Sequence, residues 1–207
     1  MSNNTEEKIY REAFKLFLNK PYEFVTVREL EKAIGMTRGA IFYYVKDKEQ
    51  LYREVIERYY LKSQNLYYKV GENILEHDIT LLEFIDIFIA GVNKTANEIY
   101  TLANSKESDK STIDRSYISL LLTTGYYVDT FNEKMANLFQ IDKNTWSFFI
   151  QKAIEKGEVK PNTNVKLYGE LFTYTYLGLA LNDAVKEGID LKHLREILIE
   201  LYNKIKV

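Results

Sequence analysis

At 207 residues and 46% hydrophobic, the chain is long enough to bury a sizeable core and too apolar to be disordered. The absence of cysteine excludes a disulfide framework and a thiolate metal site, and a complement of only two prolines and nine glycines argues against a many-turned β fold. Net charge is −2: of 28 Lys/Arg and 30 Asp/Glu, residues 1–62 hold 12 and 10, leaving 16 and 20, so a mild positive excess sits at the N-terminal end.

The first residues (SNNTEEK) are polar and charged, unlike a signal peptide. No apolar run approaches ~20 residues, so a soluble, cytoplasmic protein with no membrane partner is expected. Over 5–19 the apolar residues Ile9, Ala13, Phe14 and Phe17 form a helical stripe that Pro21 ends. Thr26 followed by Glu29 is a capping-box pattern, and Val27, Leu30, Ala33 and Ile34 line one face of the helix it starts. Gly35 stands where a left-handed C-terminal residue is wanted. Thr37 then caps a short helix over 38–44, and Asp47 with Gln50 caps a longer one from Lys48. Beyond that point the pattern predicts helices over 48–72, 80–105, 112–138, 143–157, 164–187 and 191–206. The expected breaks lie at 76–79, 104–110, 141–142, 157–164 and 188–190. No strand pattern of useful length occurs, so the fold class is all-α. A three-helix N-terminal domain (1–50) is expected to precede a larger helical domain (51–207).

The segment TVRELEKAIGMTRGAIFYYVKDK (26–48) makes specific physical demands. Two short helices must reverse direction in a few residues, which suits a helix-turn-helix. Gly35 supplies backbone freedom and Met36 a flexible apolar plug. The second helix must offer its N-terminal side chains to base edges, and Thr37, Arg38 and Gly39 meet that need. Arg38 has the donor fork for a bidentate contact to guanine. Gly39 costs helix propensity, which close approach to a DNA backbone or thymine methyl would justify. Ala40 and Ile41 are expected to face the core or a base methyl.

The stretch from Ile9 to Tyr59, and TVRELEKAIGMTRGAIFYYVKDKEQL above all, resembles the TetR family of bacterial transcriptional regulators. The resemblance covers about a quarter of the chain. It implies that Thr26, Tyr43, Tyr44 and Lys48 join Thr37, Arg38 and Gly39 in binding double-stranded DNA, with Tyr43, Tyr44 and Lys48 on phosphates. The chain departs from many members at Phe42, where a tyrosine is common, and at Tyr44, where histidine is common. The resemblance further implies a small-molecule effector held in the helical domain, and a homodimer formed through 164–187 and 191–206. A two-fold dimer requires a roughly palindromic operator.

The residues beyond 62 fit that expectation. Leu191, Leu194, Leu198, Leu201 and Ile205 step 3, 4, 3, 4, a narrow seam for helix packing. Leu167, Leu171, Leu177, Leu181, Ala184 and Val185 lie on the preceding helix, where Gly169, Gly178 and Ala180 permit close approach. Phe84, Phe88, Tyr117, Tyr126, Tyr127, Phe131, Phe149, Tyr174 and Tyr176 are candidates to line an effector pocket. Polar residues inside apolar runs add Asp86, Asn93, Asn182 and Asp183, because a charge on a buried face needs a partner. For Asp86 that partner is expected to be internal. His77 and His193 belong to no metal-binding spacing and have no nucleophile partner, so no catalytic residue, metal or cofactor is expected. The resemblance implies a ligand-responsive repressor released from its operator by a small molecule; the alternative is a helical module for protein interaction or recruitment, with or without DNA binding.

Overall fold

The local signals become caps in the computed structural model, which describes residues 2–104 and 110–207. Helix α1 (Ser2–Asn19) buries Ile9, Ala13, Phe14 and Phe17, and Pro21 leads into a 3-10 turn over Tyr22–Phe24. Burying each isoleucine or phenylalanine of this set stabilises the fold by about 1.5–3 kcal/mol. Helix α2 (Val27–Ile34) starts on a complete capping box. The Glu29 N–H donates to Thr26 Oγ1 at 3.3 Å, and the Thr26 N–H donates back to Glu29 Oε2 at 2.9 Å. Leu30 and Ile34 are buried, Val27 is half-buried and Ala33 is exposed, so the apolar face is narrower than the spacing suggests.

Helix α3 covers Arg38–Ile41 and α4 covers Lys48–Val55. The helix expected over 48–72 is not continuous. After α4 a π-helical stretch runs over Ile56–Leu61, followed by α5 (Lys62–Gln64). Asn65 then turns extended (ψ 120°) and caps α6 (Leu66–Val70). The widened turn carries Tyr60, whose ring packs on Tyr117 (4.4 Å between centroids) and Phe131 (5.8 Å).

Helix α7 (Leu81–Leu102) also begins on a capping box, Thr80 with Glu83. The break expected at 104–110 falls largely on 105–109, outside the described residues. Helices expected over 112–138 and 143–157 are divided elsewhere: α8 is Lys110–Thr123, a 3-10 turn spans Thr124–Tyr126, and α9 runs unbroken over Phe131–Glu155. The break expected at 141–142 does not occur in α9, because Asp142 lies buried on the same face as Trp146. Helices α10 (Val165–Ala184) and α11 (Leu191–Ile205) close the chain. Gly169 lets α10 press against α9, since a Cβ there would sit 2.9 Å from the Lys143 carbonyl oxygen. No strand occurs among the described residues, only an isolated bridge between Val159 and Lys206.

Two hydrophobic clusters form the interior. The first joins α1 to α4 and the π-helical turn to the end of α7, α8 and the start of α9, so its packing continues past residue 50. The second holds α6, most of α7, the middle of α9, α10 and α11 around Trp146. Leu194, Leu198 and Ile205 of the α11 seam are spent inside this cluster. Helix α10, by contrast, leaves Leu167, Tyr174 and Leu181 exposed, together with its C-cap Val185. Among the described residues no helix is long and apolar enough to cross a membrane.

Candidate functional site

The turn between α2 and α3 is built around one backbone position. Gly35 adopts φ 72°, ψ 34°, a left-handed conformation that a side chain would strain. The Gly35 and Met36 N–H groups both donate to the Glu31 carbonyl, at 2.9 and 3.2 Å. The Glu31 side chain then accepts the Arg38 N–H at 2.6 Å, stitching α2 to the first turn of α3. Thr37 caps α3 through its hydroxyl, which accepts the Ala40 N–H at 3.4 Å. Helix α3 ends at Ile41, short of the expected Tyr44, because the Tyr44 N–H donates to Ile41 three residues back.

This scaffold fixes which side chains face outward. Ile41 is fully buried and anchors α3, while Thr37, Arg38 and Gly39 are exposed together. The Arg38 guanidinium makes no ion pair among the described residues and lies 5.8 Å from the Phe42 ring centroid. Tyr43 is 84% exposed, so packing gives no reason for an aromatic ring there. Tyr44 is half-buried against the first cluster and meets Tyr43 edge-on at 5.4 Å. Thr26 is exposed at the start of α2, with its hydroxyl donated to Glu29. Lys20 also donates to Glu29 at 2.6 Å, and that hydrogen bond does most to hold the Glu29 carboxyl down at about 2.

An added Cβ at Gly39 would meet nothing within 4 Å, so neither turn nor packing requires glycine there. Gly39→Ala is expected to leave the fold intact or raise its stability by up to about 1 kcal/mol, while reducing DNA affinity. Thermal melting and a fluorescence-anisotropy titration on the same protein would check both arms. Unchanged affinity would remove Gly39 from the interface.

Lys48 differs most from its expected role. Its ammonium donates to the Tyr22 and Val25 carbonyls, both at 2.9 Å, and stands 4.1 Å from the Tyr22 ring centroid. Burial lowers its pKa. The lysine ties the α1–α2 link to the start of α4, and two of its three N–H groups are already engaged. Lys48→Met is therefore expected to lower stability by about 1.5–3 kcal/mol, the range for hydrogen bonds to a charged group. Affinity should fall alike for all sequences, with the salt slope unchanged. A slope smaller by about one would restore the phosphate contact.

The same corner couples the helix-turn-helix to the rest of the chain. Tyr22 packs on Tyr52 and Tyr127, each at 4.7 Å, and the Tyr127 hydroxyl donates to Glu23. The buried Tyr52 hydroxyl pairs with Thr124 Oγ1 at 2.8 Å, and burial pushes the phenol up to about 12. Tyr22 and Tyr52 were not singled out by the sequence pattern, because aromatics at helical spacing do not reveal which of them meet a distant turn.

A cavity of about 290 Å³ opens between the π-helical turn, α5, α7, α8, α9 and α10. Its walls include Tyr60, Ser63, Gln64, Val92, Thr95, Ile99, Tyr100, Asp114, Tyr117, Phe139, Tyr176 and Leu177. Of the expected pocket residues, Tyr117 and Tyr176 are present. Tyr117 is the polar centre. Its hydroxyl pairs with Ser63 Oγ, accepts from Gln64 Nε2 at 3.0 Å and donates to the Tyr60 carbonyl at 3.3 Å. Asp114 is mostly buried and pushed upward by that burial; it accepts the Tyr100 hydroxyl at 2.8 Å and the Ile189 N–H at 3.1 Å.

The other pocket candidates lie outside this cavity. Asp86 falls off the buried face set by Phe84, Ile85 and Phe88; it is exposed and pairs with Arg195 at 2.7 Å. Asn93 is exposed and accepts from Asn97 at 3.0 Å. Phe84, Phe88 and Phe149 fill the second cluster, and Phe131 fills the first. Tyr126 and Tyr174 are exposed, and Tyr127 is spent in the aromatic corner. Asp183 binds the Asp190 N–H at 3.0 Å and accepts from Asn182, so that pair closes the α10–α11 link.

Among the described residues, no three His, Asp or Glu side chains are grouped to hold a metal ion. A capped helix-turn-helix, whose second helix presents an arginine with no ion pair among the described residues, has the geometry of a groove-reading DNA-binding unit, here joined to a hollow helical body. Comparison with known proteins agrees. Residues 9–55 match the family model described as "Bacterial regulatory proteins, tetR family". The repressor AcnR of Corynebacterium efficiens is 45% identical over 49 residues, which make up 24% of this chain and only 26% of AcnR. The biofilm-operon regulator IcaR of Staphylococcus epidermidis is 22% identical over 174 residues, covering 77% of this chain and 91% of IcaR. For the fold, the SmeT–triclosan complex superposes with a TM-score of 0.68 at 17% identity, over 99% of this chain and 92% of that one. A TetR regulatory protein from Rhodobacter sphaeroides gives 0.65 at 15%, over 97% and 98%. The family match is confined to residues 9–55, and over its whole length the chain shares the fold of these TetR-type structures.

Proposed function

We propose that this protein is a cytoplasmic, homodimeric repressor that binds a palindromic operator through Thr37, Arg38 and Gly39, with Thr26, Tyr43 and Tyr44 on the flanking phosphates, and that a small molecule in the cavity releases it. The observation that carries the reading is the shared wall. Tyr60 and Ser63, which line the cavity, stand in the same helical run as α4, whose first residue, Lys48, braces the helix-turn-helix. An occupant that rearranges the Tyr117–Ser63–Tyr60 contacts tilts that run and changes the separation of the two recognition helices. The effector acts only through its differential affinity for the two states. A division at about residue 50 into DNA-binding and effector-binding parts follows functional role, while the first hydrophobic cluster links the two mechanically.

The exposed stripe Leu167, Tyr174 and Leu181 on α10, with its C-cap Val185, supports dimerisation, since it is the apolar surface left when α11 packs inward. The same stripe would serve a recruitment module, which is the second reading. Selection of genomic DNA fragments by the purified protein at ~150 mM salt tests the first. Enrichment of a few palindromic sites supports a dimeric regulator; uniform or no recovery from a monomer moves the recruitment reading ahead.

A further inference from the structure

Among the described residues, four buried side-chain polar atoms have no hydrogen-bond partner: Lys69 Nζ, Asp142 Oδ1, Thr145 Oγ1 and Trp146 Nε1. They are not scattered. Asp142, Thr145 and Trp146 stand at i, i+3 and i+4 on one face of α9, and Lys69 reaches toward the same region from α6. Lys69 and Asp142 are only 6% and 4% exposed and form no salt bridge, although the lysine's charge acts on the buried carboxyl. Burying such groups unpaired is costly, and native interiors rarely leave several of them in one place.

The cluster lies directly behind the cavity wall. Tyr176 lines the cavity, and the Lys69 ammonium stands 5.0 Å from its ring centroid. The Tyr176 ring also meets Phe88 edge-on at 5.3 Å, and Phe88 meets Trp146 at 5.1 Å. Phe139, another wall residue, is one turn before Asp142 on α9.

We propose that the cavity and this cluster form one composite effector site, partitioned by the Tyr176 ring, and that it takes an apolar molecule ending in a carboxylate. The apolar body fills the cavity and the carboxylate is received by Lys69, Trp146 and Thr145 once Tyr176 swings aside. The inference rests on the reading that the cavity admits an effector, and adds the chemical class. The unpartnered groups decide that class. An ammonium, an indole N–H and a hydroxyl offer protons, against the one carboxylate of Asp142, so the complementary group is rich in acceptors and brings no proton. One ammonium in a cavity of this size matches one negative charge better than a phosphate's two.

Trp146 is the chain's only tryptophan, so its emission reports on the site directly. The probes are 4-phenylbutyrate and its uncharged amide, titrated into the full-length protein. The acid is expected to bind at least about tenfold more tightly than the amide and to perturb Trp146 emission more strongly. Lys69→Met should abolish the preference, and Asp142→Asn, which removes the opposing charge, should enlarge it. Because Lys69→Met is expected to lower stability, the acid-to-amide ratio in the unsubstituted protein and in Asp142→Asn already decides the matter. Equal binding of acid and amide overturns the composite site and leaves the cavity reading standing. Binding of neither overturns both.

Discussion

Arg38→Ala is expected to weaken binding to the selected operator by about 1–3 kcal/mol, or roughly five- to 150-fold, and to relax the preference at one base pair in each half-site. The structure separates this effect from folding. The Arg38 backbone is held by Glu31, and its guanidinium makes no ion pair among the described residues, so truncation leaves no buried group unpaired and the melting temperature should not move. Binding to scrambled DNA should fall much less, because a base contact is lost only where the base is right. Anisotropy titrations on operator and scrambled duplexes at several salt concentrations would measure both. An equal loss on the two duplexes would reassign Arg38 to a phosphate, and no loss on either would place α3 outside the groove.

Legibility in the sequence followed the range of the interactions. The capping boxes at Thr26 and Thr80 and the left-handed Gly35 depend on neighbours within four residues, so their residue types announce them. Arg38 could likewise be read as outward-facing from its place at the start of a short helix, whereas the role of Tyr43 came only from the family resemblance. Long-range decisions were hidden. Whether Lys48 meets phosphate or the Tyr22 and Val25 carbonyls depends on how a turn 23–26 residues earlier folds back on it. Asp86 and Asp142 mislead in opposite ways, Asp86 standing in the apolar run LLEFIDIFIA and Asp142 in the polar stretch QIDKN. One rotates to an exposed pair with Arg195, and the other is buried in unbroken α9. The seam of α11 was a true packing signal that spoke only of packing; its partner proved to be the same chain's interior, leaving α10 to face outward.

The buried pair in the second cluster gives the other large effect. Lys69→Met alone is expected to lower stability at neutral pH, because it removes the buried cation whose charge favours the Asp142 carboxylate. The double change Lys69→Met with Asp142→Asn should recover that loss and end level with, or about 1–4 kcal/mol above, the unsubstituted protein, since both desolvated charges are gone. The pH dependence has a definite sign. Burial raises the Asp142 carboxyl from 3.8 to about 6, the charge of Lys69 opposing the rise. Between those values the folded chain binds more protons than the unfolded one, so this group makes stability fall as pH rises through the window, by about 3 kcal/mol in all, and flatten above it. In Lys69→Met the carboxyl rises further and the decline should continue above pH 6; in the double variant this component should vanish. Urea denaturation of the four proteins at pH 5 and pH 8 closes the cycle, and a coupling energy near zero would mean that Lys69 and Asp142 do not sense one another. A double variant more stable than the natural pair would mean that this pair lowers the stability of the fold, as expected of groups placed to receive a ligand rather than to hold α6 against α9.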